Sequence, residues 1–220
     1  MGESVTLEKK VRGAAMLQPE TTKAIWRSAI IELARVGYAR LSMEMIAKRA
    51  GVGKAALYRR WSGKEDMIIA MIQEIGLEIV SVDDQGSLEK DIRRYLSDAA
   101  QLLSRPLSTR ILPDLYAEMS RDTLLSAAIR STVQQRKRES VAQIVDRAVE
   151  RGELQPKINR ETVFDLLAGP MYWRILVTRQ PTGDDFVDEL TVGTMNALKA
   201  LSQQTHRAIE PYAKRSRTTR

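Results

Sequence analysis

Residues 51–61 read GVGKAALYRRW. Two glycines beside a lysine suggest a loop that cradles phosphate. An aromatic and further basic residues close behind suggest instead a helix that meets nucleic acid. A P-loop needs Gly, four residues, then Gly-Lys-Ser/Thr. Counting back from Gly53-Lys54, the first position is Lys48, and Ala55 stands where the hydroxyl belongs. Gly51-x-Gly53-x-x-Ala56 fits a degenerate dinucleotide fingerprint, but that fingerprint must follow a buried strand. The preceding MEMIAKRA is charged and patterned as a helix, so both nucleotide readings fail.

A helix-turn-helix accounts for the same residues. Two short helices need a small residue at the turn, and Gly51 supplies it. They need small or apolar residues where they cross, and Ile46, Ala47, Ala50, Val52 and Leu57 are available. Lys54, Ala55 and Ala56 give one basic arm on a slim surface able to enter a major groove ~12 Å wide. Tyr58, Arg59 and Arg60 offer a hydroxyl and two guanidinium forks to phosphates or guanine edges. Lys64 opens the next helix, where backbone N–H groups and an ammonium can hold a phosphate.

Outward from this stretch the pattern stays helical: apolar residues recur at three and four, not at two. About nine helices are predicted, in an all-α fold. They run from about Pro19 to Val36, stopped by Gly37; Met43 to Ala50, with Ser42 as N-cap; Lys54 to Arg60; and Lys64 to about Val80. Then come Leu88 to Leu103, part of Leu107 to Met119, about Thr123 to Glu150 ended by Gly152, Arg160 to Thr178, and Asp184 to about Leu201. Pro106 and Pro113 limit helix between 105 and 113, and Gly169-Pro170 predicts a kink. The domain reading is a basic, disordered tail over 1–18, a DNA-binding domain over 19–64 with its helix-turn-helix at about 43–62, a helical domain over 65–203, and a basic, disordered tail over 204–220.

Composition narrows the chemistry. The chain of 220 residues has no cysteine and one histidine, His206, which removes thiolate sites and makes a Ser/His/Asp or His-zinc site improbable; no metal or cofactor is expected. Glu118 and Asp122 share a helix face, but surface charge accounts for them. No apolar run reaches the ~18 residues that cross a bilayer. The first residues lack the apolar stretch of a secretory signal, and their Met-Gly-x-x-x-Thr start matches an acylation pattern by chance. A cytoplasmic protein that is not an enzyme is expected. The net charge of +7 is unevenly spread: 13 Lys/Arg against 5 Asp/Glu up to Lys64, 17 against 22 from Glu65 to Thr205, and 5 against 1 thereafter. Basic ends flank an acidic middle, and basic segments favour polyanions. Lys9, Lys10 and Arg12, like Lys214, Arg215, Arg217 and Arg220, read first as solvated tails, and second as arms adding unspecific affinity for DNA.

At this point GYARLSMEMIAKRAGVGKAALYRRWSGKEDMI, residues 37–68, resembles the DNA-binding domain of TetR-type transcriptional regulators. Gly37-Tyr38, Leu41-Ser42, Ile46-Ala47, Ala50-Gly51-Val52, Leu57-Tyr58 and Lys64-Glu65 stand at the family's spacing. AVERGEL, LLAGPMYWRILVT and the final amphipathic helix resemble the C-terminal half of one subgroup. Gly53 departs from the polar residue, such as Ser, that many members carry. The resemblance implies that Ser42 and Tyr58 contact phosphates, that Lys54 and Ala55 lie at the base-reading end of the third helix, that Arg59 and Arg60 meet phosphate or bases, that Lys64 meets phosphate, and that Leu57 and Trp61 are core.

It also implies a homodimer on a palindromic operator in double-stranded DNA, because two heads one helical turn apart bind far better than one. The long stripes Phe164, Leu167, Met171, Ile175, Phe186, Leu190, Thr194 and Leu198, with Gly169 and Gly193 for close approach, are the expected interface; filling the protomer core is their other reading. An effector pocket is expected among the middle helices, with Met67, Met71, Leu102, Leu103, Tyr116, Met119, Tyr172 and Trp173 as lining candidates. Most relatives are repressors released by a small-molecule ligand. Two alternatives stand: a DNA-organising protein without a ligand switch, and an all-helical enzyme, for which no constellation is found.

Overall fold

A computed structural model describes residues 19–75, 83–121 and 123–203. Among these residues there are nine helices and no strand. The expected tails over 1–18 and 204–220, the end of the fourth helix and Asp122 lie outside them. The chain divides into two compact units, with the boundary after Ile68.

In the N-terminal unit, α1 (Pro19–Arg40) is interrupted at Gly37, whose φ of 77° and ψ of 164° are not helical. An L side chain is disfavoured there, so glycine both breaks the helix and permits the turn that follows. Leu41 N–H closes that turn on the Gly37 carbonyl at 3.1 Å. Next, α2 (Met43–Ala50) is capped by Ser42, whose Oγ accepts from Met45 N–H at 3.3 Å. Then α3 (Lys54–Tyr58) is one residue pair shorter than predicted, because Arg60 and Trp61 N–H both turn onto the Leu57 carbonyl. The core is Ile25, Trp26, Ala29 and Leu33 of α1 with Ile46, Leu57 and Trp61. The Trp26 and Trp61 rings meet at 4.9 Å between centroids, a contact that adds to the large area each ring buries. The last helix of this unit, α4 (Lys64–Ile75), continues across the boundary.

The C-terminal unit holds α5 (Leu88–Leu103), α6 (Pro106–Met119), a long helix α7, α8 and α9 (Asp184–Gln203). Helix α7 passes from Leu124–Ala128 through a π-helical stretch, Ile129–Gln134, into Gln135–Glu150. Helix α8 passes from Arg160–Tyr172 into a second π stretch, Trp173–Val177. Three of the starts are capped by a side chain from their own sequence: Ser87 for α5, Asn159 for α8, and a Thr123/Ser126 capping box for α7. The expected irregularity around the prolines is overturned. Pro106 sits at the first turn of α6, where no N–H is needed, and Pro113 lies inside the helix on its exposed side. Losing one backbone donor is tolerated there because Ile111, Leu112 and Leu115 are buried.

The α5, α7, α8 and α9 helices enclose one core, including Leu96, Val141, Ile144, Leu167, Met171 and Leu198. A buried carboxylate, Asp91, accepts from Gln85 N–H at 2.7 Å and from the Arg151 guanidinium at 2.9 Å. Arg151 also reaches Asp84 and Glu153, and Glu153 accepts from Leu88 N–H. The end of α7 is thereby fastened to the start of α5. Glu118, read as surface charge, is instead buried and stands 3.4 Å from Arg121.

Candidate nucleic-acid interface

The turn between α2 and α3 is built from two backbone bonds. Gly51 adopts φ 67° and ψ 27°; its N–H donates to the Lys48 carbonyl, and Val52 N–H donates to the Ala47 carbonyl at 3.1 Å. This is the double-bonded C-terminal cap that requires a left-handed residue. Leu57, fully buried, clamps α3 onto the unit. The opposite side of α3 is then left to solvent: Lys54, Ala55, Tyr58, Arg59 and Arg60 are all exposed.

Local partners hold most of these side chains. The Lys54 ammonium pairs with Glu44 on α2 and lies 5.6 Å from the centre of the Tyr58 ring. That pairing raises the Lys54 pKa and lowers that of Glu44. Arg60 donates to Thr22 Oγ1 at 2.9 Å and stacks over Trp61. Among the described residues Arg59 makes no side-chain hydrogen bond or ion pair. The Lys64 ammonium donates to the carbonyls of Tyr38 and Ala39, at 2.8 and 3.0 Å, and sits over the Tyr38 ring. An ammonium has three donors, so Lys64 ties the end of α1, beyond its break at Gly37, to the start of α4 with two of them. Asp66 fixes the preceding bend by accepting from Ser62 N–H at 2.9 Å.

One element of this platform was not foreseen. Glu32 of α1 is buried and bridges Arg49 of α2, at 2.6 Å, and Arg35, at 2.7 Å. Burial alone would raise its pKa; the hydrogen bonds and charges of Arg49 and Arg35 outweigh it and hold the carboxyl below its ordinary range. A glutamate falling among Ala29, Ile30 and Leu33 on the inward face of α1 was the available signal.

In the C-terminal unit, Tyr116 and Tyr172 meet edge to face, 5.1 Å between centroids. Both are half-buried, with Leu102 and Met119; Leu103 is buried. Met67 and Met71 are buried on α4, and Trp173 is 63% exposed. The structure adds Lys137, Gln134 and Tyr95 to this neighbourhood. Lys137 donates to the Tyr172 hydroxyl at 2.6 Å, and Gln134 Nε2 to the Tyr116 hydroxyl at 3.2 Å. Burial pushes the Lys137 ammonium down and the hydroxyls of Tyr95, Tyr116 and Tyr172 up. Lys137 was hidden in the charged run QQRKRE, although it falls between Val133 and Val141 on the inward face of α7.

Of the expected interface residues, Phe164, Leu167, Met171, Ile175, Thr194 and Leu198 are buried within the single chain, and Phe186 and Leu190 half-buried. Buried side chains have no surface left to offer a second copy. The exposed large apolar residues of α8 and α9 are Trp173, Val177 and Val192, at 63%, 59% and 56%.

Residues 25–71, which contain this short basic helix and its glycine turn, match the bacterial regulatory proteins of the tetR family, and residues 82–192 match the tetracyclin repressor-like C-terminal domain. The chain belongs to the TetR family. It is 30% identical to the DNA-binding transcriptional repressor TetR of Mycobacteroides abscessus over 76% of this chain and 87% of that one. It is 28% identical to the uncharacterized HTH-type transcriptional regulator YdeS of Bacillus subtilis, over 83% and 91%. The crystal structure of the TetR-family regulator SCO0332 superposes with a TM-score of 0.62 at 25% identity, covering 80% of this chain and 97% of that one. As a TetR-family chain it is a DNA-binding transcriptional regulator, in a family that is not enzymatic. No helix among the described residues is long and apolar enough to cross a membrane.

Proposed function

We propose that this TetR-family regulator works in the cytoplasm as a homodimer that represses transcription from a palindromic operator and is released by a small-molecule effector. The observation that carries the reading is the exposed face of α3, held out by Leu57 beneath it and by the Gly51 turn before it. Lys54 and Ala55 enter the major groove; Tyr58, Arg59 and Arg60 meet phosphates or guanine edges; Ser42 and the start of α4 at Lys64 meet the flanking phosphates. Repression is carried over from the mycobacterial relative, which is a transcriptional repressor.

The dimer places two such faces on one operator. Its interface is drawn from the outward sides of α8 and α9, with Trp173, Val177 and Val192 as anchors, Gly169 and Gly193 allowing close approach, and Phe186 and Leu190 at the border. A Cβ added at either glycine meets nothing within 4 Å among the described residues, which leaves both positions open to a partner. The effector is held among α5 to α8, around Leu102, Leu103, Tyr116, Met119 and Tyr172. Helix α4, with Met67 and Met71, is the covalent path between the units and carries the change to the DNA-binding unit. Linkage requires that the effector bind the DNA-incompetent state better, and that DNA weaken effector binding by the same factor.

Selecting genomic fragments with the purified protein at physiological salt, against excess competitor DNA, tests this reading. Enrichment of one short palindrome, protected over two half-sites, is the expected result. Diffuse recovery without a motif would overturn specific regulation.

A further inference from the structure

We propose that the C-terminal unit recognises a small organic carboxylate, seated on the Lys137 ammonium and the hydroxyls of Tyr172 and Tyr116. The proposal deepens the effector reading and rests on it. Lys137 is half-buried, and among the described residues no carboxylate pairs with it. A cation withdrawn from water without a counter-ion is costly. Its neighbours are neutral: the Tyr172 hydroxyl at 2.6 Å and the Tyr172 ring at 5.3 Å. Gln134 and Tyr116 extend the same polar strip, their side chains joined at 3.2 Å. The strip therefore offers an ammonium with N–H donors to spare and the Tyr172 hydroxyl proton, backed by the Tyr116 hydroxyl that bonds to Tyr172, and the missing charge is negative. Tyr116 and Tyr172 pack against the apolar core cluster that includes Tyr95, Leu103 and Met171. Such surroundings suit the hydrocarbon body of an organic acid better than inorganic phosphate.

The backbone gives a second, independent mark. Gln134 ends the π stretch of α7, and Tyr172 immediately precedes that of α8. An isolated π turn is uncommon and gathers at functional sites. Here two of them, on different helices, bring their ends to one group of side chains.

The test uses the full chain and matched pairs of probes: benzoate with benzamide, phenylacetate with phenylacetamide, octanoate with octanamide. Binding is read by calorimetry and by the shift in Tm. At least one acid should bind while its amide binds tenfold or more weakly. Lys137→Met should weaken the acid tenfold or more, Tyr172→Phe a few-fold, and Lys137→Arg should restore part of the loss. All three variants should keep the wild-type helical signal and operator affinity, which separates a lost site from a lost fold. Absence of acid binding across the pairs, or equal binding of acid and amide, overturns the carboxylate site. Operator release by the amides alone also overturns it, yet leaves the effector reading intact. Acid binding that depends on Lys137 without any operator release upholds the site and sinks the effector reading instead.

Discussion

Lys54 and Glu44 form an ion pair at the mouth of the proposed DNA face, each about half exposed. The pair cannot persist unchanged if Lys54 is to reach into the groove. Glu44 also sets a negative charge where phosphates must approach. Glu44→Ala should therefore tighten operator binding several-fold and steepen its salt dependence, since each further phosphate neutralised adds about 0.9 to the slope of log K against log salt. Fluorescence anisotropy titrations between 50 and 300 mM salt would show it; unchanged affinity and slope would mean that Lys54 stays on α2 in the complex. Glu32 is the opposite case, buried and structural. Its folded pKa is depressed, so its contribution is fully present above the ordinary value of about 4.5 and is lost as pH falls through the folded pKa. Glu32→Gln should cost about 1.5–3 kcal/mol at neutral pH, the range of charge-assisted hydrogen bonds. It should also flatten the acid limb of stability below about pH 4.5, as measured by urea unfolding of both proteins from pH 6 downward. An acid limb identical to wild type would place the sensitivity elsewhere.

At the scale of elements, the two glycines of residues 51–53 make separate predictions. Both have open space where a Cβ would go, so sterics with neighbours do not distinguish them; the backbone does. Gly51 sits at φ 67°, Gly53 at φ −68°. Gly51→Ala should destabilise by about 1–2 kcal/mol, the left-handed penalty for an L residue, and should weaken operator binding by re-aiming α3. Gly53→Ser should be neutral or stabilising by a few tenths of a kcal/mol, because α3 has no side-chain cap. Thermal unfolding of both variants beside operator titrations decides; a destabilised Gly53→Ser would mean that the N-terminus of α3 is not in the described conformation. These elements were legible in the sequence because their determinants are local: Ser42 three residues before Met45, Gly51 at the turn, Gly152 after α7. The π stretches were not, since a single extra residue leaves the three-and-four pattern of Val133, Val141 and Ile144 almost intact. The helix through Pro113 was hidden for the converse reason: a local breaker was outweighed by the burial of Ile111, Leu112 and Leu115, which is a tertiary effect. Partners distant in sequence were equally invisible. Nothing in the sequence says that Lys64 will spend its donors on residues 38 and 39, or that Lys137 will find Tyr172.

At the scale of the whole molecule, the apolar stripes of α8 and α9 divide into two sets that helical spacing alone could not separate. One set, from Phe164 to Leu198, closes the protomer core and would respond to truncation with the 2–5 kcal/mol typical of buried aliphatic side chains. The other, Trp173, Val177 and Val192, is exposed in the single chain; a charge there costs the protomer little, but would desolvate without a partner in a dimer interface. Val192→Glu should therefore leave helical content and Tm of the isolated protomer near wild type while shifting sedimentation from dimer to monomer at micromolar protein. Operator affinity should fall by roughly 10²–10⁴-fold, the advantage that linking two binding modules ordinarily confers. Leu124→Glu is the matched control: Leu124 is 73% exposed at the start of α7, away from both helices in sequence, and the same charge there should change neither mass nor affinity. A Val192→Glu protein that stays dimeric would move the interface off this part of α9. A monomer that still binds the operator with wild-type affinity would mean that one recognition helix suffices, and the palindrome would lose its physical reason.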